Sequence, residues 1–240
     1  SRPMAPAAQK AQWYEKAAAA LQRVPAEAPS YLDAQYLALT ARVERSLDVA
    51  EGGEGTQAAP AAARALADDL LAYARQVRDA AGQAGAQERR EELRAWGARC
   101  EFDAARVHYD VLAETKRATE LLDALGRRWP GTPAVDQATS YTIFKKIEAG
   151  QTEAAIAALA GLRERDPRRA RDLIPLVLED LREKISSLRY VGGAAAQRKL
   201  QQFRQSYYRF AGDLYQQRRG EPLAQRYELT QTYGDALIEG

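Results

Sequence analysis

The chain has 240 residues with 35 Lys and Arg against 33 Asp and Glu, so no global field draws it toward nucleic acid or a membrane surface. Apolar residues make up 46%, much of it alanine with only four Phe, which implies a thin core spread over many helix contacts. The single cysteine, Cys100, excludes an internal disulfide framework and a multi-cysteine zinc site, and no apolar run reaches the roughly 18 residues of a membrane span.

No signal-peptide core is present. The chain begins at Ser1 and has its one methionine at Met4. A vector remnant before a native start and a mature or excised piece are both open readings, and the second allows a removed signal or anchor.

No stretch alternates apolar and polar residues between turn signals, so the whole chain reads as helix. The first predicted helix, 6–24, stops at Pro25. The second, 30–50, starts where Ser30 precedes Tyr31-Leu32-Asp33, a Ser-x-x-Asp cap for exposed N–H groups. The loop Glu51-Gly52-Gly53-Glu54-Gly55 ends it and is the segment expected to be most mobile, followed by Arg189–Ala196. Helices over 57–82, 85–113 and 115–129 come next, and no Gly or Pro separates the last two after Gly97.

Thr132-Pro133 and Asp166-Pro167 each pair a side-chain acceptor with proline at the first helical position, where its missing N–H costs nothing. They open helices 133–149 and 168–189. Thr152 after Gly150 opens 152–165, with Glu153 favourably placed toward the helix dipole. Helices 194–219 and 221–238 complete ten. Their short connections make successive helices antiparallel neighbours.

Counting back from Pro130, Leu125, Leu122, Ala118, Tyr109, Ala105 and Phe102 follow a spacing of small and large apolar residues. Counting back from Pro167, Leu162, Leu159, Ala155 and Gly150 do the same, and Tyr208, Ala211, Gly212, Tyr215 and Ala224 form a third set. This pattern resembles the tetratricopeptide repeat, in which small residues let two helices approach closely and aromatics fill the groove beside them. Departures are visible: Arg106 stands at a usually small position, and Thr139 and Lys146 where aromatics are usual. Pro130 and Pro167 are 37 apart, while Phe102, Thr139 and Tyr208 are separated by 37 and 69.

The resemblance implies an all-α fold of stacked antiparallel helix pairs in a right-handed superhelical array. Residues 1–98 form helix pairs without a legible motif, and 99–240 degenerate repeats continue the same array. The Trp129-Pro130-Gly131-Thr132-Pro133 junction is also similar to those of bacterial envelope proteins with such repeats. That leans the localisation, bacterial cytoplasm or periplasm, toward the envelope.

Catalytic signals are absent from the sequence. His108 and Cys100 lie eight residues apart on one predicted helix, unsuited to a metal or a Cys-His nucleophile pair, so His108 reads as a packing residue beside Tyr109. No phosphate loop, dinucleotide fingerprint or nucleophile elbow occurs. Acid–arginine runs such as Gln87–Arg94 read as solvated faces, and Arg163–Asp172 as a charged inter-helix turn. No enzyme, cofactor or metal is expected.

Helix 194–219 carries the functional expectation. Leu200, Phe203, Tyr207, Phe210 and Leu214 make a buried seam, with Tyr208, Ala211, Gly212 and Tyr215 as a second apolar stripe. Around it, Arg198, Lys199, Arg204, Arg209, Arg218, Arg219 and Arg226 face only Asp213 and Glu221, a local charge of +5. Three readings of that face stay open: a solvated face, a groove for an acidic peptide or protein, and a nucleic-acid surface.

The resulting expectation is a non-catalytic interaction module whose concave surface holds a partner protein or extended peptide through Arg204, Gln205, Arg209, Tyr215 and Arg218. Nucleic-acid binding through the same helix and a self-associating structural scaffold are the alternatives.

Overall fold

The computed structural model describes residues 7–50 and 59–218, with side chains placed for 12–48 and 59–216. Among the described residues the protein is all-α: nine α-helices and no strand. They are α1 (Ala7–Leu21), α2 (Tyr31–Ala50), α3 (Pro60–Gln83), α4 (Gln87–Arg106), α5 (Thr115–Arg128), α6 (Pro133–Glu148), α7 (Thr152–Arg165), α8 (Pro167–Arg189) and α9 (Ala194–Arg218). The expected helix over 221–238 and the glycine-rich loop 51–55 lie outside the described residues. None of the described helices is long and apolar enough to cross a membrane.

Among the helix starts with a described cap, α8 alone has a side-chain cap. The Asp166 carboxylate accepts the Arg169 N–H at 3.0 Å while Pro167 occupies the first turn, so α8 starts with cap and proline together. Helix α6 starts at Pro133 as expected, directly after Thr132. The Thr132 hydroxyl donates back to the Trp129 carbonyl at 2.9 Å, an acceptor freed by the end of α5. Gly150 takes φ +75° to turn α6 into α7, a conformation cheap only without a Cβ.

The junction of α4 and α5 has no glycine or proline, and the chain breaks it by other means. Val107–Val111 form a π-helical turn, with the Leu112 N–H donating to the Val107 carbonyl at 3.1 Å. Ala113 then sits at φ +55°, and the Glu114 N–H donates to the His108 carbonyl at 2.7 Å. This bond reaches one residue further than the six-to-one bond of a Schellman stop, at the end of a π-helical turn, with alanine in the left-handed position where glycine is usual.

The chain divides into two compact units, 1–138 and 139–240, with the boundary inside α6. The sequence boundary at 98 and 99 falls inside α4.

In the first unit consecutive helices pack on each other, and α4 meets α2 as well as α3. Small residues permit the close approach: Ala63, Ala67 and Ala74 of α3 and Ala98, Ala104 and Ala105 of α4 are all buried. Gly97 is the tightest point, because a Cβ there would lie 2.3 Å from the Trp129 ring and 2.9 Å from the Val77 side chain. Ion pairs cross the remaining interfaces, Arg45–Glu15 between α2 and α1 and Arg42–Asp69 between α2 and α3. Tyr36 stacks on Trp96 at 5.0 Å, and the Arg89 guanidinium lies 4.9 Å from the Trp96 ring centre while pairing with Asp33 at 2.6 Å.

The second unit has one apolar cluster that joins Ile143 and Ile147 of α6, Leu159 and Leu162 of α7, a face of α8 and the seam of α9. Leu200, Phe203, Tyr207, Phe210 and Leu214 are all buried, as their spacing predicts. The second stripe is only partly covered: Ala211 is buried, Gly212 and Tyr215 are half-buried, and Tyr208 is exposed. Thr152 on α7 and Ser206 on α9 bridge the helices by a 2.6 Å hydroxyl contact.

Candidate functional site

The five residues expected on α9 do not share one face. At about 100° per residue, Arg204, Tyr215 and Arg218 fall on one side, with Gln205 and Arg209 roughly 100–140° around the axis. Gln205 and Arg209 are exposed, and Arg209 Nη1 pairs with Glu153 on α7 at 3.1 Å. Arg204 is half-buried and its Nε is a buried donor without an acceptor. Tyr215 is half-buried, and the Arg218 side chain lies outside the described residues.

The residues considered for chemistry take packing roles. Cys100 is buried, and burial first, then the neighbouring Asp103, pushes its thiol well above the usual range, which keeps it protonated and unreactive. His108 is buried on the π-helical turn, with Nδ1 2.8 Å from Glu114 Oε2. The same carboxylate accepts Arg64 Nε at 3.0 Å and Nη2 at 2.8 Å, ahead of His108 the main cause holding Glu114 below the ordinary carboxylate range. No group of three or more His, Cys, Asp or Glu placed to hold a metal occurs among the described residues.

Two carboxylates that the sequence did not mark lie deep in α4. Asp103 is buried beside Arg99 Nε at 2.8 Å and Arg106, yet desolvation wins over both guanidiniums and raises its carboxyl above the ordinary range. Glu101 accepts Trp129 Nε1 at 2.6 Å through one oxygen and Arg128 through the other. A buried acceptor for each donor explains how a carboxylate is tolerated there.

Glu101 lines the base of a cleft of about 800 Å³ that lies wholly within the first unit. Its walls are α3 and α5, both packed along α4. The two walls run in the same direction. Arg64 of α3 meets Glu114 at the start of α5, and Val77 of α3 and Trp129 at the end of α5 both close on Gly97.

That register sorts the cleft's charges. Arg75, Arg78, Arg127 and Arg128 gather at one end, where the only carboxylate is Glu101, already taken by Trp129 and Arg128. Asp68, Glu120 and Asp123 gather at the other, with Arg117 engaged to Glu120 at 3.4 Å. Leu71, Ala74, Leu121 and Ala124 lie between. Each residue belongs to a helix that reads as an ordinary charged amphipathic element, and only the parallel pairing of α3 and α5 assembles them.

What the structure defines is a class: among the described residues, an all-α protein. No family model matches the chain, and no curated protein or solved structure matches it either.

Proposed function

We propose that this protein is a non-catalytic, tetratricopeptide-like binding module that holds a segment of a partner protein in the cleft between α3 and α5. The observation that carries this reading is the cleft itself: a groove of about 800 Å³ lined mainly by charged side chains of both signs, with the half-buried Leu71 and the buried Ala74, Leu121 and Ala124 among them. Charged and polar groups of both signs around a few apolar positions give a surface on which electrostatic complementarity selects a protein segment. The charged surface of α9 supports the peptide or nucleic-acid reading less, since Arg209 is engaged by Glu153 and Arg204 is half-buried.

The test is selection of random short peptides displayed on phage against the full chain, beside Leu71→Glu. Leu71 is a half-buried residue of the α3 wall, and the substitution sets a carboxylate there. Peptides recovered by the wild type and lost with the folded variant support the reading. Equal recovery by both, or no enrichment over an unrelated helical protein, overturns it.

A further inference from the structure

The groove's two ends carry opposite charge, and this restricts what fits. From Asp68 to Arg78 the α3 wall rises about 15 Å, so the change of sign takes place within three helical turns. At the basic end Arg75, Arg78 and Arg127 are exposed, and Arg75 Nε donates only to the Leu71 carbonyl of its own helix, at 3.2 Å. Arg128 is the one guanidinium there with a carboxylate partner, Glu101. At the acidic end Asp68, Glu120 and Asp123 are exposed and face a single cation, Arg117.

Resting on the groove reading above, we propose that the occupant is a polypeptide segment of dipolar charge. Its carboxylates lie over Arg75, Arg78 and Arg127, its apolar side chains over Leu71, Ala74, Leu121 and Ala124, and its basic side chains toward Asp68, Glu120 and Asp123. Guanidiniums favour carboxylates through paired, charge-assisted hydrogen bonds. The acidic half supplies the exclusion: a uniformly anionic polymer such as nucleic acid would set phosphates against three carboxylates, a like-charge penalty that selects against it. The same polarity fixes direction. A segment laid in backwards meets its own charge at both ends.

The experiment reads the charge pattern of the peptides selected on the wild type, then compares one enriched peptide, a form of the same composition with its acids and bases interleaved, and a fluorescent oligothymidylate by fluorescence anisotropy. The expected peptides have acids at one end, apolar residues in the middle and bases at the other. Interleaving the charges weakens binding at least about tenfold, and oligothymidylate does not compete. In Arg75→Glu/Arg78→Glu/Arg127→Glu, three exposed changes that leave the helices intact by circular dichroism, the enriched peptide weakens by a similar factor. A peptide with its acidic end changed to lysine then binds the triple variant better than the wild type. Leu71-dependent peptides without charge polarity, or insensitive to interleaving of their charges and to the triple substitution, overturn the dipolar occupant while leaving the groove standing. Tight competition by oligothymidylate overturns it in favour of nucleic acid, and failure of the Leu71→Glu control removes the groove and this inference together.

Discussion

Replacing Gly97 with alanine sets two effects against each other. In a helix interior alanine is favoured over glycine by about 1 kcal/mol, so propensity alone predicts a more stable protein. At Gly97 the new Cβ would stand 2.3 and 2.8 Å from Cη2 and Cζ2 of Trp129, and 2.9 Å from Val77 Cγ2. Carbon pairs prefer roughly 3.5–4.0 Å, so the ring must move by about an ångström. It has little freedom: Trp129 is 1% exposed and Val77 0%, and the indole N–H is tied to Glu101 at 2.6 Å. Forced overpacking costs about 1–3 kcal/mol. Losing or stretching a hydrogen bond to a buried carboxylate adds about 1.5–3 kcal/mol. After the propensity gain, Gly97→Ala is destabilised by about 1.5–5 kcal/mol, a fall in Tm of roughly 3–20 °C. Urea and thermal unfolding by circular dichroism, with tryptophan emission as a second probe, measure this. Gly82→Ala is the control, since Gly82 lies in α3 with open space around its missing Cβ and should gain up to about 1 kcal/mol. If Gly97→Ala proved as stable as the wild type, the close approach of α4 to the Trp129 ring would be wrong.

Other perturbations follow from the same geometry. Ala113→Gly should raise stability by about 0.5–1 kcal/mol in urea titration, because exposed Ala113 holds φ +55° where only glycine is unstrained. Gly150→Ala should cost about 1–2 kcal/mol by the same measurement, since φ is +75° and its Cβ would press on the Gln202 amide at 2.6 Å. Glu114 has a depressed folded pKa, so its contribution is present above the unfolded carboxylate value and disappears as pH falls through the folded one. Glu114→Gln should therefore be less stable than the wild type at neutral pH, with the gap closing under acid below about pH 4. Asp103 has a raised folded pKa and the opposite sign, so stability relative to Asp103→Asn should be greatest in acid and decline as pH rises above about 4 toward neutrality.

Helix positions were legible because proline and cap residues act locally. Asp166-Pro167 starts α8 by the bond its composition predicts, and the α9 seam is buried along its three-four rhythm. The stop at Ala113 was not legible, since alanine carries no sign of left-handed backbone, and only the bonds from Leu112 and Glu114 reveal it. Glu101 and Asp103 escaped for a related reason. A carboxylate inside an arginine-bearing helix reads as a solvated face; Glu101 meets Trp129 and Arg128 only in the fold, while Asp103 is buried beside Arg99 and Arg106 of its own helix. The α9 residues were chosen by local charge, which is blind to Glu153 on α7 standing opposite Arg209.

The cleft was the least legible feature, because its basic end comes from α3 and α5 with all of α4 between them in sequence. Its construction also separates folding from recognition. Glu101 holds Trp129 against Gly97 and takes up Arg128, so those residues set the end of α5 and neutralise their own charge in doing so. Arg75, Arg78 and Arg127 stand outside that network, exposed at the same end of the groove. Burying a carboxylate under an arginine-rich mouth would ordinarily weaken the mouth's pull on an anion. Here the carboxylate is satisfied by two donors of its own, which leaves the three exposed guanidiniums to act on whatever lies above them. Substitutions at Gly97, Glu101 and Trp129 should therefore be read in unfolding experiments, and substitutions at Arg75, Arg78 and Arg127 in binding, with little crossover between the two.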